Sequence, residues 1–229
     1  MNWFSNFLTS SIGRKLLMSL TGIFLILFLL VHLAGNLQLL ADDGGESFNL
    51  YAYFMTHNPL IKTISYGLYF FILLHTFQGI LLWTKNRAAR GSQGYAVKVT
   101  RTVKTSAAAS KNMAWLGMII FIFIVLHMYQ FWLQMKMDVL PYHTYDGEAV
   151  KDLYYIVALT YENPVFVLLY VVSMAVIAFH LWHGFQSAFQ TLGINHKKYT
   201  PLIRAVGKIY AILVPLGFAL IPILMFLKK

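Results

Sequence analysis

The chain of 229 residues has no cysteine. That excludes disulfides, iron–sulfur ligation and thiol catalysis by its own side chains. Charge is scarce: Asp, Glu, Lys and Arg make up 11% of the residues, against roughly 25% in a soluble domain. Such a chain cannot clothe a water-facing surface. Acid is the scarcer sign, with 8 acidic against 18 basic residues and a net charge of +10. No Gly-rich dinucleotide fingerprint is present, and there is no internal repeat or low-complexity linker. What is abundant is apolar surface: 59% hydrophobic residues and a mean hydropathy of +0.63. The natural solvent of this sequence is the bilayer. Disorder is excluded, and nucleic-acid binding falls away once the placement of the basic residues is considered.

Crossing the hydrocarbon layer takes about 20 mostly apolar residues in a helix. Five stretches meet that length, at about 16–37, 60–83, 113–135, 164–189 and 203–227, and none contains an acid. Between them lie polar connections with Gly44-Gly45, Asn58-Pro59 and Asn163-Pro164 as breakers. The basic residues sort by connection. Arg14 and Lys15 precede the first span. Lys85, Arg87, Arg90, Lys98, Arg101, Lys104 and Lys111 join the second to the third. Lys197, Lys198, Arg204 and Lys208 lie around the fourth-to-fifth connection. Every acid lies on the other side: Asp42, Asp43, Glu46, Asp138, Asp146, Glu148, Asp152 and Glu162. Basic connections stay on the cytoplasmic side. The expectation is therefore one all-α domain over 1–229, a transmembrane five-helix bundle with its N-terminus cytoplasmic and its C-terminus outside. The first span is too long for a signal peptide and lacks a small-residue cleavage site after it. The basic stretch from Lys85 to Lys111 suits anionic lipid or a partner protein. The fifth span carries Pro215 and Pro222, has no histidine and reads as a flanking helix.

The chemistry must come from the eight histidines. His32, His75, His127 and His180 each sit in a different apolar span, where an ionisable group is a functional candidate by default. Depth pairs them. His32 is about 25 Å along its helix from Lys15, and His127 about 24 Å from Lys111. Both of those helices run outward. His75 and His180 are a similar distance along helices that run inward. So His32 and His127 share an outer level and His75 and His180 an inner one, roughly 10 Å away along the normal. Two facing imidazoles at one level are what bis-histidine haem ligation needs. Zinc wants about four converging ligands, usually with cysteine or carboxylate among them. A proton relay needs no level matching. His183 stands one turn after His180 on nearly the same face. Gly184 lies one turn beyond His180, where a flat macrocycle could approach, which favours His180 as the ligand and leaves His183 to bond a propionate or to pack. His57, His143 and His196 fall in connections and read as solvated. Gln78, Gln130 and Gln186 lie near these histidines, either bonding across helices or orienting groups behind the ligands. Trp83, Trp115 and Trp132 lie near span ends, as an interfacial belt predicts.

Short stretches in a fixed order carry a resemblance. They are Ser10-Ser11-Ile12-Gly13-Arg14-Lys15, His32-Leu33-Ala34-Gly35-Asn36, Gly45-Glu46-Ser47-Phe48-Asn49, and His180-x-x-x-Gly184 followed by Gly193. Together with five spans and one histidine in each of the first four, the chain resembles, over nearly its whole length, the dihaem cytochrome b membrane anchor of succinate:menaquinone oxidoreductases. The resemblance implies two haems b, a proximal one held by His75 and His180 and a distal one held by His32 and His127, with those four residues as the iron's axial ligands. It places the helix-four ligand at His180 rather than His183. It implies a menaquinone site near the distal haem with an acid near the outer start of the second span. Glu46 is the nearest match, with Asn49 and Tyr53 as weaker neighbours. Desolvation beside an apolar headgroup would suit Glu46 to exchange protons with the quinone. Some members carry a glutamate two residues before the helix-four ligand for compensating proton transfer; here that position is Ala178.

The function so implied is electron transfer between an iron–sulfur subunit and menaquinone, in the bacterial inner membrane. The succinate or fumarate chemistry would belong to a flavoprotein partner. The rival readings are a haem b anchor of another quinone-reactive complex, of the hydrogenase or formate dehydrogenase type, and a cofactor-free transporter with histidine gates.

Overall fold

The computed structural model describes residues 2–90 and 107–228, and of residues 4, 90 and 107–111 the backbone alone. Lys98, Arg101 and Lys104 lie outside the described residues. Among the described residues, five helices are long and apolar enough to cross a membrane: Ser11–Leu40, Pro59–Ala89, Asn112–Lys136, Pro164–Thr191 and Thr200–Leu227. They coincide with the five expected spans, and the protein is an all-α, five-helix bundle of polytopic membrane type.

A short amphipathic helix, α1 (Trp3–Thr9), leads into α2 (Ser11–Asn36). The Ser10 hydroxyl caps α2 by accepting from the Gly13 amide at 3.0 Å. One turn of 3₁₀ helix, Leu37–Leu40, ends it. Helix α3 (Glu46–His57) lies in the first connection, followed by α4 (Pro59–Arg90). The third span is α5 (Ala107–His127), a π-helical segment Met128–Leu133, and the single turn α6 (Gln134–Lys136). The strands β1 (Tyr142–Tyr145) and β2 (Glu148–Lys151) then form an antiparallel hairpin, before α7 (Leu153–Tyr161), α8 (Pro164–Thr191) and α9 (Thr200–Leu227).

The Asn-Pro breakers turn out to be helix starts. Asn58 accepts from the Leu60 and Ile61 amides, and Asn163 from the Val165 amide. In each case proline takes the first helical position, where it has no amide hydrogen to leave unpaired. The hairpin turns on Asp146-Gly147, both with positive φ (48° and 85°), the geometry of a two-residue type I′ loop.

Helix α2 packs against α4 and α8, and α5 packs against the same two. These four form a square in which α2 faces α5 and α4 faces α8 across the diagonals. Helix α9 lies along α8 and also touches α2. It flanks the square, as expected, and is packed into it: Ala211, Val214 and Tyr210 join Ile26, Leu181 and Phe185 in one buried cluster. The Tyr210 hydroxyl donates to the Ile26 carbonyl at 2.5 Å. A second buried cluster, with Leu39, Phe48, Phe131, Val157, Tyr161, Tyr170 and Ile221, closes the end of the bundle that carries the acidic residues. Outward-facing side chains along the spans are apolar, among them Leu27, Phe70, Leu73, Phe77, Ile122, Leu168 and Leu213, as a lipid-facing surface requires.

Candidate functional site

The four span histidines meet in two pairs. The rings of His32 and His127 are 5.8 Å apart centre to centre and nearly perpendicular, at 88°. Those of His75 and His180 are 6.4 Å apart at 68°. Each pair spans one diagonal of the helix square: α2 to α5 for the first, α4 to α8 for the second. The two diagonals cross, so the pairs must occupy successive levels of the same core. Among the described residues no three His, Asp or Glu side chains converge on a common point. The sites are two-ligand sites or they are not metal sites at all.

The donor set fits a bis-imidazole iron. An iron held between two imidazole nitrogens at about 2.0–2.1 Å would put the ring centres roughly 6.3 Å apart. Nδ1 of His180 is buried without a hydrogen-bond partner. A buried polar atom left unpaired costs about 1–3 kcal/mol, a cost that ligation of iron through Nε2 leaves in place. Glycines flank the inner pair. A Cβ at Gly22 would sit 3.4 Å from Cε1 of His75, and one at Gly117 3.8 Å from Cε1 of His180. Gly184, by contrast, has only a distant methionine methyl beside it.

Behind the rings stand Thr21 and Tyr170, which sequence reading did not single out, together with Asn36 and Gln130, which it named. The Thr21 hydroxyl donates to the Leu17 carbonyl at 2.8 Å and lies 3.0 Å from Nδ1 of His75. The Tyr170 hydroxyl donates to Oε1 of Gln130 at 2.7 Å and lies 3.5 Å from Nδ1 of His127. The Asn36 amide donates to the His32 carbonyl at 2.7 Å and reaches 3.3 Å from its Nδ1. Aromatic rings enclose the outer pair: Phe28 and Phe218 against His32, Phe123 and Phe131 against His127. The π-helical segment begins directly after His127. Such wide turns recur at functional sites, and here the segment carries Gln130 to Tyr170 and Phe131 into the core. A polar residue in an apolar span was the only sequence signal for Thr21, and one of several such.

His183 is half-buried one turn from His180 and is not the residue that faces His75. His57 is exposed at the end of α3, stacked on Tyr53 at 4.0 Å. His143 is exposed on β1 with Nε2 3.4 Å from Asp152. His196 is exposed in the connection before α9. Gln130 bonds across helices. Oε1 of Gln78 is buried without a partner, and a reoriented Gln186 amide accepts from Gln190 and Arg204.

At the acidic end, Glu46 is exposed in the first turn of α3, where a carboxylate complements the helix N-terminus. Asn49 is fully buried and fully engaged. It donates to Tyr145 and Asp152 and accepts from the Tyr154 amide, so it ties α3 to the hairpin and α7 and is unavailable to a ligand. The Tyr53 hydroxyl donates to the Glu148 carboxylate, which holds the phenol above its ordinary range. Lys151 and Tyr142 hydrogen-bond Asp138 and hold its carboxyl below the ordinary range. The chain matches no protein-family model, no curated protein and no solved structure.

Proposed function

We propose that this polytopic membrane protein is a dihaem cytochrome b anchor that passes electrons between an iron–sulfur partner and menaquinone. The observation that supports it best is the crossing of two histidine pairs on the two diagonals of one helix square, at ring separations that suit iron between them. His75 and His180 would hold the haem nearer the basic, cytoplasmic end, and His32 and His127 the haem nearer the acidic, outer end. Bound haem supplies a one-electron couple. The chain's part is to orient neutral imidazoles, to exclude water with the aromatic rings around the outer pair, and to keep the two levels roughly 10 Å apart. Glu46, exposed at the outer end, is the proposed proton exchanger for the quinone. A flavoprotein and an iron–sulfur protein would complete the complex and carry out the succinate or fumarate chemistry, on the cytoplasmic face of a bacterial inner membrane.

Pyridine haemochrome per polypeptide tests the proposal. Two haems b are expected; one or none in haem-replete cells would overturn it, and none would favour a cofactor-free transporter. His180→Ala should lose one haem while His183→Ala keeps both; the reverse would reassign the ligand. Co-purification of a hydrogenase or formate dehydrogenase in place of the flavoprotein would move the anchor to another quinone-reactive complex.

A further inference from the structure

We propose that Thr21 and Tyr170 are positioning residues that set the proton on Nδ1 of His75 and of His127, so that Nε2 of each ring presents its lone pair to a bound iron. The inference rests on the haem reading above and deepens it.

A hydroxyl has a single proton. That of Thr21 goes to the helix backbone, with the Leu17 and Met18 carbonyls at 2.8 and 3.1 Å, so toward His75, 3.0 Å away, an oxygen lone pair remains. Nδ1 of His75 is then the N–H and Nε2 the unprotonated nitrogen, and the Met18 carbonyl is a second acceptor for the His75 ring. Tyr170 repeats the device with other parts. Its proton goes to Gln130 at 2.7 Å, and its oxygen is left facing Nδ1 of His127 across a long 3.5 Å contact. Thr21 is itself buried, at 4% exposure, and so is Tyr170, at 4%. Water cannot substitute for either.

The two pairs are alike in a second respect. In each, one histidine is backed by an oxygen whose proton is committed elsewhere, and the other is not: Nδ1 of His180 has no partner, and Nδ1 of His32 lies 3.3 Å from the Asn36 amide nitrogen, a donor, so Nε2 of His32 meets iron only once that contact is given up. Each iron would therefore receive one imidazole made more basic by its N–H···O bond and one left unassisted. The more basic ligand favours the ferric state. Removing its support should raise the potential of that haem alone.

The test uses the chain in its intact membrane complex, with Thr21→Val, Thr21→Ser, Tyr170→Phe and Gln130→Met. All are close in size to the residue replaced. Haem content is measured first, then redox titration and low-temperature EPR of each haem. Thr21→Val should move one haem upward; a tenfold loss of ferric preference corresponds to about 59 mV for one electron. Thr21→Ser, which keeps the hydroxyl, should restore the starting value. Tyr170→Phe should move the other haem upward. Gln130→Met, which releases the Tyr170 proton to compete for Nδ1, should move that same haem. With two haems per chain retained, unmoved potentials, or equal movement of both haems in every variant, would overturn the proposal. Wild-type protein without haem would instead overturn the reading beneath it.

Discussion

Single side chains in this protein divide by whether their hydrogen bonds are already spoken for. Asn49 has spent its amide on three partners, while Glu46, three positions earlier on the same helix, stands exposed at a helix N-terminus. The proton-exchange role proposed for Glu46 thus depends on what a bound quinone would do to its surroundings, since the protein alone does not desolvate it. Glu46→Gln should abolish succinate–quinone turnover while leaving both haem signals and dye-linked succinate oxidation unchanged. Asp42→Asn should have little effect. Retained quinone turnover in Glu46→Gln would reduce Glu46 to a helix-end charge.

Helix pairs and the hairpin each hang on a few contacts that can be tested. A Cβ at Gly207 would lie 2.6 Å from the Phe185 ring, and Phe185 is buried between α8 and α9. The ring has nowhere to swing, so Gly207→Val should push the helices apart at a cost of about 1–3 kcal/mol. The checking measurement is the unfolding midpoint in detergent, with Gly79→Val, facing only a methionine methyl at 3.4 Å, as the milder comparison. The hairpin is pinned by the Asp138–Lys151 pair at 2.8 Å. Lys151 and Tyr142 lower the Asp138 carboxyl, so its contribution is present above the ordinary aspartate range and fades as pH falls through the depressed folded value. Asp138 in turn raises Lys151, whose contribution is present below the ordinary lysine range and fades as pH rises through the raised value. Asp138 is exposed and Lys151 partly so, which keeps the effect small. Protection of the hairpin amides, taken relative to their intrinsic exchange at each pH, should be highest between those limits, and Asp138→Asn should flatten both limbs, since it removes the charge that Lys151 also relies on. An unaltered pH profile in that variant would mean the pair does not hold the hairpin.

Across the whole molecule, the two ends differ in sign, and that difference is the argument for orientation. Absence of cysteine makes it testable without a background. Asp146→Cys, at the hairpin turn, and Lys197→Cys, in the connection before α9, should react with a membrane-impermeant maleimide from opposite sides. Asp146→Cys should label in intact spheroplasts and Lys197→Cys only in inverted vesicles. The opposite pattern would invert the bundle and with it the side on which each partner binds.

The five spans were legible in composition because a bilayer tolerates only long apolar helices, so hydropathy and length nearly suffice. The level matching of His32 with His127 and of His75 with His180 was legible too, because rise per residue and antiparallel direction convert sequence position to depth. What lay beyond the sequence was everything decided across helices or in the water-exposed connections. Which helices are neighbours and which are diagonal depends on packing, and only the square of α2, α4, α5 and α8 puts each pair face to face. Thr21, Tyr170 and Asn36 became meaningful through contacts, two of them with residues more than forty positions away. The π-helical segment after His127 leaves no mark in hydrophobic periodicity. Helices α3 and α7 are too short to span, and they hold their place by capping the bundle, with Phe48, Val157 and Tyr161 in its buried cluster and Asn49 and Asp152 bonded to each other. The Asp146-Gly147 turn was written in the chain, but its hairpin is hidden in a connection whose neighbours all read as helix. Hydrophobicity sets which segments enter the membrane; the pairing of polar groups that cannot reach water sets how those segments are arranged once inside.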